Sequence, residues 1–129
     1  MSIEVKISKT RVSYKIAMKF LDKRVEKLKK NKGKELLWVL EHPTTYTAGI
    51  RSNTSEIIDK NIKIINTKRG GKITLHNPGQ KIIYLVLDLN RRKKDIRKLI
   101  TAIETSITEF LELYKIKGKK NSSYWAACF

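Results

Sequence analysis

The residues able to do chemistry gather in three short stretches rich in Gly, Pro and His. They are Glu41-His42-Pro43 with Thr47-Ala48-Gly49, then Arg69-Gly70-Gly71, then His76-Asn77-Pro78-Gly79-Gln80. Two glycines behind an arginine let main chain approach a ligand with no Cβ in the way, while the guanidinium forks onto a carboxylate, phosphate or carbonyl oxygen. Taken alone, the tripeptide reads as a hairpin turn carrying an exposed cation. His42 and His76 stand at strand ends beside proline-containing turns, and each by itself reads as a hydrogen-bonded structural histidine. With no carboxylate at i+3 or i+4 they do not make a metal site. The single thiol, Cys128, lies between Ala127 and Phe129. A reactive thiolate needs a positioned, electropositive pocket, and Cys128 reads as a chance cysteine in an unstructured tail. No residue is therefore assigned a catalytic role, and no metal or cofactor is called for.

The elements that must position these loops follow from periodicity. Tyr14, Ala17, Met18, Leu21, Val25 and Leu28 step by three or four, which predicts a helix over 14–28, capped by Ser13 or Thr10 and stopped at Asn31-Lys32-Gly33. Glu35 to Glu41 is a continuous apolar run of strand length, as for a strand buried on both faces. Residues 42–49 read as turn and loop. Asn61 to Thr67, Lys72 to Leu75 and Gln80 to Leu89 read as strands, and the two turns between them suggest an antiparallel meander. Asp95 caps a second helix whose stripe of Ile96, Leu99, Ile100, Ile103, Ile107, Phe110, Leu111 and Tyr114 ends at Gly118. This order gives an α/β or α+β domain, with helices packed on a sheet. Residues 1–118 carry the pattern, and KKNSSYWAACF, 119–129, shows neither period.

Composition narrows the function classes. The 129 residues hold 29 Lys plus Arg against 12 Asp plus Glu, a net charge of +17, and the sequence pI is near 10.1. One domain is expected at this length. Apolar clusters such as 36–40 and 82–87 argue against disorder, and neither approaches the roughly 20 residues of a membrane helix. The N-terminal MSIEVKISKT has no apolar core of a secretory signal, and a single Cys fits a reducing cytoplasm. The charge points weakly to nucleic acid. Of the cations 22 are Lys, spread from Lys6 to Lys120, and 17 Ile accompany them, a bias that A/T-rich coding DNA imposes on any fold. The denser runs, Lys27 to Lys34, Arg91 to Lys94 and Lys115 to Lys120, read as solvated helix ends and loops, or else as a patch for an acidic protein or nucleic acid.

The ordered combination carries more than its parts. LLWVLEHPTTYTAG, 36–49, followed by KRGGKITLHNPGQKIIYLVLDL, 68–89, resembles the N-terminal half of the lipoyl(octanoyl) transferases, enzymes that move an octanoyl group from acyl carrier protein to lipoyl domains. The positions that carry the resemblance are Glu41, His42 and Pro43; Thr47 and Gly49; Arg69, Gly70, Gly71, Thr74, His76, Pro78, Gly79 and Gln80; and Tyr84, Asp88 and Leu89. Asn77 stands where the family more often has Gly. The resemblance spans about residues 14–114. It implies a lipoate/biotin protein ligase-like catalytic fold, a mixed sheet flanked by helices, and a substrate-binding segment Arg69, Gly70, Gly71, Lys72, Ile73, Thr74, Leu75 and His76 lining an acyl tunnel. Along that strand Ile73 and Leu75 alternate with Thr74 and His76, which segregates an apolar from a polar lining. The implied partners are octanoyl-acyl carrier protein and the lipoyl domains of 2-oxoacid dehydrogenase or glycine cleavage proteins, in the cytoplasm, with no membrane and no nucleic acid.

The family's chemistry is covalent: a Cys thiolate attacks the thioester and a nearby Lys assists, in P-C-G and G-x-K-I-A segments downstream of the long helix. Neither segment occurs here. The expectation is an octanoyltransferase cut short, its C-terminal part missing and its tail out of frame. Such a chain would be inactive alone, with sheet and helix faces left bare and a tendency to a molten state. The alternatives are a small basic binding module for nucleic acid or acidic protein, and one half of a split acyltransferase.

Overall fold

The computed structural model describes residues 2–118. They fall into two compact units, one running to Leu87 and one starting at Asp88. The first is a mixed α/β unit of six strands and one helix: β1 (Ile3–Ile7), α1 (Tyr14–Lys29), β2 (Glu35–Leu40), β3 (Thr45–Ala48), β4 (Ile64–Asn66), β5 (Ile73–His76) and β6 (Ile82–Val86). The second holds α2 (Ile96–Glu112).

Six strands divide into two three-stranded sheets. In the first, β2 lies between a parallel β1 and an antiparallel β6, with Ile7 opposite Val39 and Leu37 opposite Leu85. Side chains alternate across a strand, so Leu36, Trp38, Leu40 and Val86 share one face. Against it α1 lays Ala17, Leu21 and Leu28, and these seven residues form the buried core. Each buried leucine contributes about 1.5–3 kcal/mol to folding. Phe20 closes the margin, its ring 4.8 Å from that of Trp38. Beside it Arg24 reaches Glu4 at 2.7 Å. The opposite face is open: Val5 is 62% exposed, Ile7 70% and Ile83 53%. The apolar run 36–40 thus belongs to a strand well covered on one face, with Leu37 and Val39 only half-buried on the other.

The second sheet corrects the expected meander. Its central strand is β3, four residues inside the stretch that reads as loop, with β4 parallel on one side and β5 antiparallel on the other. The segments before and after Gly70-Gly71 are therefore not hydrogen-bonded to each other, and β6 belongs to the first sheet. Thr-Tyr-Thr-Ala is too short for its period to stand out beside Pro43 and Gly49, so its neighbours in sequence look like partners of each other. The first strand, β1, is likewise absent from the sequence reading, although Ile3, Val5 and Ile7 alternate there.

Both helices stop earlier than their glycines suggest. At the end of α1, Asn31 adopts φ 54°, with Lys32 N–H bonded to Lys27 O at 2.9 Å and Asn31 N–H to Leu28 O at 2.9 Å. At the end of α2, Lys115 does the same at φ 59°, with Ile116 N–H on Leu111 O at 3.1 Å. These are paired C-terminal closures of the Schellman type, made here without glycine. At the N-termini, Asp95 accepts from Lys98 N–H at 3.0 Å as expected, whereas Ser13 occupies the cap position of α1 with no side-chain bond. Within the second unit, Ile107 and Phe110 of α2 are half exposed.

Candidate functional site

Two of the three motif stretches interlock. Gly49 N–H donates to Lys72 O at 3.1 Å, Ile50 N–H to Arg69 O at 2.9 Å and Arg51 N–H to Gly71 O at 3.0 Å. The strands of main chain are so close that a Cβ on Gly49 would lie against Gly71 O and within 2.9 Å of Arg69 O. Glycine at 49 is thus a requirement of backbone approach, and Gly71 is one of conformation, with φ +94°. The Arg69 guanidinium folds back over this junction. Its Nη1 donates to Gly70 O at 2.9 Å, and its Nη2 to Lys72 O at 2.9 Å and Thr47 Oγ1 at 3.2 Å. The guanidinium that the sequence reads as forking onto a ligand oxygen is instead spent on carbonyl oxygens of its own loop and on the Thr47 hydroxyl. Arg69 Nε is buried with no hydrogen-bond partner.

From this loop β5 carries the remaining expected residues in two directions. Ile73 pairs with Ala48 and Leu75 with Tyr46, while Thr74 pairs with Thr47 and His76 with Thr45. Paired residues share a face, so Ile73, Leu75, Tyr46 and Ala48 line one side, and Thr74, His76, Thr45 and Thr47 the other. Thr47 is fully buried. The same face continues through Ile64 and the polar Asn66 of β4. There a cleft of about 420 Å³ opens between Ala48, Ile57, Ile62 and Ile64, edged by Lys60. None of residues 69–76 lines this cleft. Lys72 is engaged at the surface, its ammonium paired with Glu56.

The polar side meets a cluster that motif spacing does not reveal. His42 is completely buried. Its Nδ1–H donates to Val12 O at 2.5 Å and its Nε2 accepts from the Tyr84 hydroxyl at 2.8 Å. Burial holds its pKa below the ordinary histidine value, and the bond to Val12 opposes this only in part. His76 lies edge-on to it at 5.5 Å and stacks on Tyr14 at 5.7 Å. Burial also lowers the His76 pKa, as do the neighbouring His42 and Arg69 charges. Its Nδ1 is buried without a partner. His42 is therefore the structural histidine that its sequence suggests. The role of Tyr84 as its hydroxyl partner required the fold, because 42 residues separate the two.

The third stretch closes the arrangement. Gln80 N–H donates to Asn77 O at 3.1 Å. Pro78 supplies the preset φ, and Gly79 takes φ +86° as the third residue of a type II turn does. Asn77 needs no positive φ, since Gly79 provides it. Glu41 Oε2 accepts from Gly79 N–H at 2.9 Å, and Glu41 Oε1 pairs with Lys81 at 2.6 Å. These two bonds, the lysine's first, hold the Glu41 carboxyl below its usual range. Asp88 starts a turn at 89–92, accepting from Asn90 N–H at 3.0 Å. Among the described residues no group of three or more His, Cys, Asp or Glu could hold a metal, and no helix is long and apolar enough to cross a membrane. Cys128 and the rest of 119–129 lie outside the described residues.

Residues 13–124 match the family model described as the lipoyl protein ligase A/B catalytic domain. Among curated proteins the chain is similar to the octanoyltransferase of Bartonella bacilliformis, 41% identical over 119 residues, which cover 92% of this chain and 49% of that protein. It is 40% identical over 118 residues to the octanoyltransferase of the Wolbachia of Brugia malayi, covering 91% of this chain and 58% of that protein. It is 34% identical over 119 residues to that of a Bradyrhizobium species, covering 92% and 50%. The chain spans about half the length of the curated relatives it matches.

Proposed function

This chain belongs to the lipoyl protein ligase A/B catalytic-domain family, and from that premise we propose that it serves octanoyl transfer from octanoyl-acyl carrier protein to a lysine amine of lipoyl domains, in lipoate biosynthesis. The observation that carries the reading is the interlock of Gly49–Arg51 with Arg69–Lys72. It brings two motifs 20 residues apart onto one backbone junction and launches β5 from it. Arg69, Gly70, Gly71 and Lys72 form the mouth where a thioester carbonyl is held. Ile73 and Leu75 give the acyl chain an apolar wall on the sheet face they share with Tyr46 and Ala48. Thr74 and His76 face the other way, toward the buried His42 and Tyr14. Both imidazoles stay neutral at pH 7, so His76 offers polar orientation without charge.

The donor carrier and the acceptor lipoyl domains of 2-oxoacid dehydrogenase or glycine cleavage proteins are the partners of this reading, and the cytoplasm is its place. The 129 residues hold one thiol and no P-C-G or G-x-K-I-A segment. They bind the acyl donor without completing transfer. Incubation with octanoyl-acyl carrier protein and apo lipoyl domain, followed by intact mass spectrometry, tests this. Binding of the acylated carrier, weakened by Arg69→Ala and unaccompanied by mass gain on the lipoyl domain, is expected. Mass gain on the domain or on Cys128 overturns the inactivity, and failure to bind the acylated carrier overturns the assignment of Arg69–His76.

A further inference from the structure

The connection between β1 and α1 is fastened at both ends. Ser8 N–H donates to Val39 O at 2.9 Å and Val12 N–H to Glu41 O at 2.8 Å. The Trp38 indole N–H also holds Ser8 Oγ at 2.9 Å. Lys9, Thr10 and Arg11 thus stand on a bight tied to β2. With Ser8, Glu41 and Lys81 they line a cleft of about 390 Å³. Three cations and one carboxylate face this space. The carboxylate is already occupied, since Glu41 holds Lys81 through one oxygen and Gly79 N–H through the other. Neither Lys9 nor Arg11 makes an ion pair among the described residues, although the Arg11 charge helps to hold the Glu41 carboxyl below its usual range.

We propose that the cleft between Ser8–Arg11, Glu41 and Lys81 binds a phosphate group carried on a larger molecule. A guanidinium forks onto two phosphate oxygens, ammonium groups supply point charge, and the Thr10 hydroxyl can donate to a third oxygen. The anchored bight presents them with little ordering left to do on binding. The cleft has room for a phosphate with an attached chain. The lysines of α1 at 19 and 23 carry similar charge on an exposed helix surface but line neither cleft, which makes them the control. The phosphate comes either from a small free ester or from the phosphodiester that tethers a prosthetic arm to a carrier protein. Only the second source rests on the acyl-transfer reading.

Isothermal titration of the full chain with inorganic phosphate, chloride being exchanged to hold ionic strength constant, tests the site. Saturable one-to-one binding is expected. Lys9→Gln with Arg11→Gln weakens it about tenfold or more through loss of two charge-assisted contacts. Lys19→Gln with Lys23→Gln, which removes the same net charge, changes it less than about twofold. Absence of saturation, or equal loss in the two double variants, overturns the proposal. Near-ultraviolet circular dichroism matching that of the unsubstituted chain shows that both variants are folded. Displacement of phosphate by arm-bearing acyl carrier protein and not by its arm-less form assigns the tethered source, and displacement by neither assigns the free ester. Because the phosphate titration involves no acyl group, its failure and that of the octanoyl reading are separable.

Discussion

Replacing Gly49 with alanine tests the interlock most directly. Gly49 does not need a left-handed φ, so any cost must arise from contact. The new Cβ would press on Gly71 O, with Gly71 C at 2.8 Å and Arg69 O at 2.9 Å, all of them main chain. The two segments must part, which puts at risk the bonds from Gly49, Ile50 and Arg51 to Lys72, Arg69 and Gly71. Three such bonds at about 1 kcal/mol each, with about 1–3 kcal/mol for overpacking, give a loss of about 4–6 kcal/mol. For a domain near 100 residues this lowers Tm by about 20–30 °C. Two other glycines serve as internal controls. Gly79 has φ +86° and nothing within 4 Å of its Cβ position, so Gly79→Ala costs only backbone strain, about 1–2 kcal/mol. Gly71 combines φ +94° with Arg69 Nη1 at 3.2 Å, a side-chain group able to swing aside, and falls between the two. Urea unfolding of the three single variants by circular dichroism should rank Gly49→Ala above Gly71→Ala above Gly79→Ala. If Gly49→Ala proves no worse than Gly79→Ala, the loops yield freely and the reasoning fails.

Tyr84→Phe leaves His42 Nε2 buried without its donor and should cost about 1–3 kcal/mol in urea unfolding. His42→Phe in that background should add less than it does alone, and strict additivity would show that the two side chains do not bond. Stability should also fall as pH drops from 7 toward 5. The folded pKa values of His42 and His76 lie below the unfolded value, so the unfolded chain binds protons first and the contribution is full above about 6.5. Each histidine adds a slope of at most about 1.4 kcal/mol per pH unit. Urea midpoints across this range should flatten in His76→Gln, and an unchanged profile in both single histidine variants would refute the burial argument.

What sequence determined by itself lies in the local rules. The period of Tyr14, Ala17, Leu21 and Leu28 gave α1 its buried face, Asp95 gave α2 its cap, and Asn77-Pro78-Gly79-Gln80 spelled its own turn, because each depends on residues within a few positions. The ordered motifs from Glu41 to Leu89 also pointed to the family before any coordinate. Tertiary structure alone decided pairing and partners. Whether β4 and β5 bond to each other or to a four-residue β3 between them depends on which strands meet in space, and sequence proximity misled there. That Gly49 is needed for its distance to Gly71 rather than for a turn is a fact of two backbones in contact. The orphaned Nδ1 of His76 and the Thr47 hydroxyl that meets Arg69 are of the same kind, as is the hydroxyl of Tyr84 against His42. They follow from burial and hydrogen-bond geometry across 20 to 40 residues, a range over which residue spacing carries no distance.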